Sequence, residues 1–267
     1  MINEPLLNVK CFLLDMDGTF NLGEELIEGS LYFIETLKEL GLEFLFLTNN
    51  SSKHRRLYAE KIARLGLTIP EEQVFTSGEA TALHLRREYR SAKVYVVGTP
   101  SLEEEFHQHG FELDENDPRL VVLGFDTTLT YQKLWKLCDF VRAGLPYVAT
   151  HPDFNCPTET GYMPDIGAMI AFVHAATGRE PDLVVGKPNR MIVDAVAEKY
   201  GYSISEMAMV GDRLYTDIAL GKTSGITTCL VLSGETREDE VAHSPFQPTY
   251  TFNNLGSIAA WLRSHKG

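Results

Sequence analysis

Basic residues are in short supply: 24 Lys and Arg stand against 37 Asp and Glu, for a net charge of -13. The densest basic stretch is the short Lys53-His54-Arg55-Arg56. Nucleic-acid binding depends on a cationic face that neutralises backbone phosphates, so DNA and RNA are not expected partners. Cysteine is equally sparse. Cys11, Cys138, Cys156 and Cys229 show neither CxxC spacing nor disulfide density, and they read as reduced core or loop residues. No apolar run reaches membrane-spanning length, and the start, MINEPLLNVK, lacks a cationic stretch followed by an apolar run and a cleavage site. No membrane partner is expected, and the location these absences suggest is cytoplasmic. Low-complexity tracts and repeats are also missing, so all 267 residues are expected to fold, as one large domain or two moderate ones.

What is present is an alternation of apolar runs with helix-length amphipathic segments, the pattern of a parallel sheet covered by helices on both faces. The runs Cys11-Leu14, Glu43-Leu47, Lys93-Val97, Leu120-Leu123, Pro146-Ala149, Leu183-Val185, Met207-Val210 and Thr227-Val231 read as strands. Leu134, Leu137, Cys138 and Val141 recur at i, i+3, i+4, i+7 and predict a helix with one buried stripe, which is core and not a binding box. Two Gly/Pro-bearing stretches, Ser77-Gly78-Glu79 and Gly178-Arg179-Glu180-Pro181, read as hinges around an insertion. The expected organisation is a discontinuous core of residues 1-78 and 180-267, with an inserted α/β domain at 79-179.

Chemistry gathers at four strand ends. The run Cys11 to Leu14 is followed by Asp15-Met16-Asp17-Gly18-Thr19. Ligands of open parallel sheets bind beyond the carboxyl ends of strands, where both acids emerge, and Gly18 permits a tight turn whose N–H groups suit an anion. A plain Asp-x-Asp-Gly turn fits the same residues. After Phe44 to Leu47 come Thr48, Asn49 and Asn50, donors for a phosphate oxygen, or ordinary caps for the next helix. After Leu183 to Val185 come Gly186-Lys187-Pro188, a lysine beside a helix start, able to bind an anion or hold nearby carboxylates ionised; a solvated loop lysine is the bland alternative. After Ala208 to Val210 comes Gly211-Asp212-Arg213-Leu214-Tyr215-Thr216-Asp217, with Asp212 suited to a hard divalent cation and Asp217 to orienting it, or to a helix first turn. Four strand ends, in order, each carrying a different part of one phosphate-transfer site, are what separates this pattern from four accidents.

Together DMDGT, LTNN, GKP and GDRLYTD resemble the four motifs of the haloacid dehalogenase (HAD) superfamily of phosphohydrolases, and the insertion between the second and third is similar to that of its NagD-type, p-nitrophenyl phosphatase subfamily. The resemblance covers essentially the whole chain. It implies an α/β, Rossmann-like core with a mixed α/β cap, and a Mg²⁺-dependent phosphatase of small phosphorylated metabolites such as sugar phosphates or nucleotides. On that pattern Asp15 is the nucleophile that becomes an aspartyl-phosphate and Asp17 the general acid and base. Gly18, Thr48, Asn49 and Lys187 would cradle the phosphate. Mg²⁺ would be held by Asp15, the Asp17 main-chain carbonyl and Asp212, with Asp217 behind them. A homodimer is a possible assembly.

In the insertion, Thr150-His151-Pro152-Asp153-Phe154-Asn155-Cys156-Pro157 and Gly161-Tyr162-Met163-Pro164-Asp165-Ile166-Gly167 are similar to the subfamily's ATNPD…PGxG stretch, with His151 for the usual Asn and Asp165 for the usual Gly. Glu28-Gly29 stands where many relatives have Pro-Gly. His151, Asp153 and Asn155 are candidates for selecting the leaving group, against simple turn formation. No second His or Cys lies at ligand spacing to make His151 a transition-metal ligand. Asp17 argues against a dehalogenase, which lacks that acid. The scarcity of lysines in the insertion (Lys93, Lys133, Lys136) argues against a phosphonate hydrolase, which would form an imine. A phosphomutase, or a non-catalytic module that binds phosphorylated metabolites, remains the alternative.

Overall fold

The computed structural model describes residues 4–158 and 161–266. The chain divides into two compact units. One runs up to Thr48, from Ala59 to Phe75 and from Lys187 onward; the other comprises Asn49–Tyr58 and Thr76–Gly186.

The first unit is built on a six-stranded sheet with β1 (Cys11–Leu14) at its centre. On one side lie β4 (Glu43–Thr48) and β5 (Val74–Thr76); on the other, β13 (Met207–Gly211), β14 (Thr227–Val231) and β15 (Tyr250–Phe252). β1 pairs in parallel with both β4 and β13. A strand flanked on both edges and covered on both faces must be apolar throughout, which is why Cys11, Phe12, Leu13 and Leu14 are all buried. A small hairpin, β2 (Asn21–Leu22) and β3 (Glu25–Leu26), follows β1 directly. The helices are α1 (Ser30–Glu39), most of α2 (Arg55–Arg64), α7 (Arg190–Tyr200), α8 (Ala219–Ser224), the short α9 (Glu238–Val241) and α10 (Leu255–Lys266). Phe12 packs edge-on against Phe33 of α1, and Phe20 against Phe46 of β4, the geometry aromatic quadrupoles prefer.

The second unit has its own five-stranded sheet, ordered β12 (Leu183–Val184), β9 (Tyr147–Ala149), β8 (Leu120–Leu123), β6 (Lys93–Val97) and β7 (Glu112–Leu113), with every pairing parallel. Its helices are α3 (Ser77–Glu88), α4 (Pro100–Gln108), α5 (Tyr131–Arg142) and α6 (Ile166–Thr177), and an antiparallel hairpin, β10 (Asn155–Thr158) with β11 (Gly161–Pro164), precedes α6. The predicted helix stripe is where expected: Leu137, Cys138 and Val141 are buried with Val121, Leu123 and Tyr147, and Leu134 is partly buried. The stretch Ser77-Gly78-Glu79 is not a hinge loop but the first turn of α3, capped by Thr76, whose hydroxyl accepts the Glu79 N–H at 2.9 Å. Gly178 ends α6 in the left-handed conformation. Among the described residues, no helix is long and apolar enough to cross a membrane.

Candidate active site

Register places the first two acids. Leu14 of β1 lies opposite Val210 of β13, and the Asp15 N–H extends that pairing to the Val210 carbonyl at 2.9 Å. Asp15 and Asp212 therefore leave adjacent strands at the same end of the sheet. After Asp212 the chain winds into a single π-helical turn, Leu214–Ile218, which returns Asp217 to the same place. Gly211 gives the room for this, since a Cβ there would collide with the Asp217 carboxylate; at Gly18 (φ +90) and Gly234 a Cβ would meet the Asp212 carboxylate. One oxygen each from Asp15, Asp212 and Asp217 lies within 4.8 Å of the others.

Three carboxylates this close repel one another, and the fold supplies one buried counter-charge among them. Lys187, 3% exposed, places its ammonium 2.7 Å from Asp15 Oδ1 and 2.7 Å from Asp217 Oδ1, and donates to the Leu47 carbonyl at 3.3 Å. Burial alone would push this lysine down, but Asp15 and Asp217 more than reverse that and hold it above the usual lysine range. It is a fixed cation, not a base. Burial lifts the Asp217 carboxyl while the lysine pulls it down; with the ammonium at hydrogen-bond distance, the ionised pair is the state the geometry favours. Asp212 receives less help. Burial, followed by the nearness of Asp15 and Asp217, pushes its carboxyl up to about 7, against a single short bond from the Glu235 N–H at 2.7 Å. Arg213 is a second cation here: burial opposes its charge, but Asp15 and Asp212 are among the groups that keep it protonated, and it pairs with Glu235 at 3.0 Å.

These donors fit a hard divalent cation. They are all carboxylate oxygens, converging and partly uncompensated, whereas a soft metal would call for sulfur or imidazole.

The other predicted residues are distributed as follows. Thr48 ends β4 and is buried. The Gly18 N–H is taken by the Asn21 carbonyl at 2.8 Å, so what Gly18 supplies is space beside Asp212 more than a donor. The Asp17 carboxylate is outside the three-acid cluster and accepts from Asn21 Nδ2 at 2.8 Å and Lys61 Nζ at 3.2 Å. Lys187 does not reach a helix terminus: α7 starts only at Arg190, behind Asn189, and the ammonium turns to the acids instead.

In the second unit, the Asn49 amide donates to both carboxylate oxygens of Asp153, at 3.2 and 3.0 Å. His151 is fully enclosed, its Nδ1 accepting the Asp153 N–H at 3.3 Å and its Nε2 lying 3.5 Å from Asp165. The two positions at which the loop departs from the subfamily pattern thus face each other, and His151 presents no free surface to a leaving group. Asn155 is exposed at the start of β10.

Sequence reasoning missed Thr19, whose hydroxyl points at Asp212 Oδ1 from 3.5 Å, and the segment after β14, where Ser233 donates to the Gly18 carbonyl at 2.9 Å and Glu235 to Asp212. A Ser-Gly-Glu-Thr stretch beyond an apolar strand carried the same strand-end signal as the other four. Asn21 and Lys61 carried none.

Comparison with known proteins agrees with this geometry. Residues 12–112 match the family model described as haloacid dehalogenase-like hydrolase, and residues 184–258 match a second, HAD-hydrolase-like model. The 5'-nucleotidase YutF of Bacillus subtilis is 35% identical over 95% of this chain and 97% of its own. The crystal structure of a 4-nitrophenylphosphatase from Thermotoga maritima superposes with a TM-score of 0.94 at 47% identity, covering 97% of this chain and 99% of that one. NagD from Escherichia coli K-12 gives 0.87 at 32% identity, over 94% and 98%. With its acids at the strand ends where the four motifs put them, the chain belongs to the haloacid dehalogenase-like hydrolases, in their NagD and p-nitrophenyl phosphatase group.

Proposed function

We propose that this phosphatase hydrolyses small phosphate monoesters, of the sugar phosphate or nucleotide class, in two displacements through a phosphoryl group carried on Asp15, with Mg²⁺ as its cation. The observation that carries the reading is the convergence of Asp15, Asp212 and Asp217 around one buried ammonium. Three carboxylates share one buried cation, Lys187, while Arg213 is paired with Glu235, so a phosphate dianion brought to that site would be repelled. A divalent ion would offset that charge.

In the first displacement an Asp15 carboxylate oxygen bonds to phosphorus, the ester P–O bond breaks, and the departing oxygen takes a proton from Asp17. In the second, water bonds to phosphorus and gives its proton to Asp17, the P–O bond to Asp15 breaks, and inorganic phosphate leaves with the Asp15 carboxylate restored. Bound Mg²⁺, held by the Asp15 and Asp212 carboxylates and the Asp17 main-chain carbonyl, would spread the charge that builds on the transferring group. Lys187 neutralises Asp15 enough for an anion to approach and, with Thr48, binds the phosphate oxygens. Asp217 keeps Lys187 in place. The inserted domain, with the exposed aromatic rings of Phe154 and Tyr162 in and beside its hairpin, serves substrate selection, as does Asp153. The nucleotidase activity in the name of the B. subtilis relative supports this substrate class.

The test is phosphate release from p-nitrophenyl phosphate and a panel of phosphorylated metabolites. EDTA should abolish it and Mg²⁺ restore it, and Asp15→Asn should lose at least about a hundredfold in turnover, the scale of a lost nucleophile. Transfer of phosphate to a second sugar hydroxyl, with no release to water, would make the protein a mutase. Binding without turnover would make it a sensor.

A further inference from the structure

Asp17 stands apart from the rest of the site. The cluster residues are packed; the Asp17 side chain is 52% exposed, and an exposed aspartate on a turn ordinarily samples several rotamers. Here it does not have that freedom. We propose that Asn21 and Lys61 form a two-donor clamp on Asp17, fixing Oδ1 so that Oδ2 is the oxygen that carries the proton to and from the ester oxygen and the water. The proposal rests on the reading of Asp17 as general acid and base.

Both donors address the same oxygen: Asn21 Nδ2 is 2.8 Å and Lys61 Nζ 3.2 Å from Oδ1. Among the described residues, Oδ2 has no hydrogen-bond partner. Neither donor arrived there casually. Asn21 is fully buried, its Nδ2 also donates to the Gly23 carbonyl at 2.9 Å, and its own carbonyl accepts the Gly18 N–H at 2.8 Å, so backbone and side chain of the turn lock it against the acid. Lys61 comes from α2, and its side chain is only 17% exposed, a low value for a lysine. An ion pair this open to water contributes little to stability. Holding the fold together is therefore a weak reason for two residues to converge on one oxygen; orientation is a better one, because proton transfer requires the acid within hydrogen-bond reach of the leaving oxygen. In the balance of the reaction Oδ1 stays an acceptor for two N–H groups in both protonation states. Oδ2 loses its proton as the ester P–O bond breaks and regains one from water as the Asp15–phosphorus bond breaks.

The clamp is tested by leaving-group dependence, with Mg²⁺ present throughout. A p-nitrophenolate departs without needing a proton; the alkoxide of glycerol phosphate does not. The reading is the ratio of kcat/KM on glycerol phosphate to that on p-nitrophenyl phosphate, in the unaltered protein and in Asp17→Asn, Lys61→Met and Lys61→Arg. Asp17→Asn should lower the ratio by about a hundredfold, as loss of a general acid does. Lys61→Met should lower it by about tenfold, since one of two donors remains, and Lys61→Arg should recover most of that loss. A Lys61→Met protein that loses the same factor on both substrates, or a ratio that Lys61→Arg leaves where methionine put it, overturns the clamp while leaving Asp17 as the acid. No change of ratio in Asp17→Asn overturns the assignment of Asp17 itself. Should Lys61→Met fold poorly, Lys61→Gln, which keeps a shorter neutral donor, is read in the same way.

Discussion

Of the clustered acids with a raised carboxyl, Asp212 is displaced further than Asp217. It is 2% exposed, its neighbours Asp15 and Asp217 are acids, and burial first and those charges second raise its carboxyl to about 7. An unfolded aspartate ionises near pH 4, so in the metal-free protein folding takes up a proton between about pH 4 and 7. The stability that this proton supplies is complete below the unfolded value and is lost as pH rises through the folded one. A divalent ion bound at the proposed site would take the proton's place. The metal-free protein should therefore melt at a lower temperature at pH 8 than at pH 5, and Mg²⁺ should raise Tm by more at pH 8 than at pH 5. Asp212→Asn keeps an acceptor for the Glu235 N–H but removes the charge: its metal-free form should be more stable than the parent at pH 8, and its response to Mg²⁺ small. Equal Mg²⁺ shifts at both pH values in the parent protein would show that Asp212 is not the group that competes for protons.

At the scale of elements, α5 is where sequence pattern and packing agree best, and it gives a graded prediction. Thr130 caps it by accepting the Lys133 N–H at 3.2 Å, and Leu137 lies at the centre of the second unit's core. Thr130→Ala should cost about 1 kcal/mol, as lost caps do. Leu137→Ala should cost about 2–5 kcal/mol, from the cavity it leaves. Urea denaturation monitored on the second unit would order them, and an equal loss from both would mean that the stripe is not core. The same contrast explains what could be read without coordinates. Strands β1, β6, β8 and β14 are apolar runs with turn residues on both sides, and their bounds match the sequence reading. β5 and β15, three residues each, and the two-residue β7 are too short to show a period, and none was expected. The β10–β11 hairpin contains Pro157 and Pro164, which lack the N–H a strand interior uses, so the segment read as loop. Gly78 read as a breaker; within α3 a Cβ there would stand 2.5 Å from the Glu105 carboxylate and 2.7 Å from Leu102, so the glycine serves close packing against α4. In the site, Asp15, Asp212, Asp217 and Lys187 were legible because each closes or follows a strand. Lys61 was not, because its partner lies 44 residues away and a lysine on an amphipathic helix has no mark of its own.

For the molecule as a whole, the division into two units makes the reach of the metal a measurable quantity. The segment 49–58 groups with the second unit through bonds between distant residues, Ser51 to Thr150 at 2.9 Å and Thr99 to the Ser52 carbonyl at 2.7 Å, which no local pattern announces. The proposed ligands Asp15, Asp17 and Asp212 all belong to the first unit. A ligand that binds only the folded form stabilises it by about 2.7 kcal/mol at a concentration of 100 Kd, about a hundredfold in the opening equilibrium of whatever unfolds cooperatively with the site. Amide hydrogen exchange with and without Mg²⁺ should then slow by up to that factor in β1, β13 and the 212–218 turn, whose strands meet at the acids. In β8 and β9, which share a separate sheet and core, the change should be several-fold smaller. Equal slowing in both units would show that they open as one cooperative body, and slowing confined to the second would move the ion away from Asp15 and Asp212 altogether.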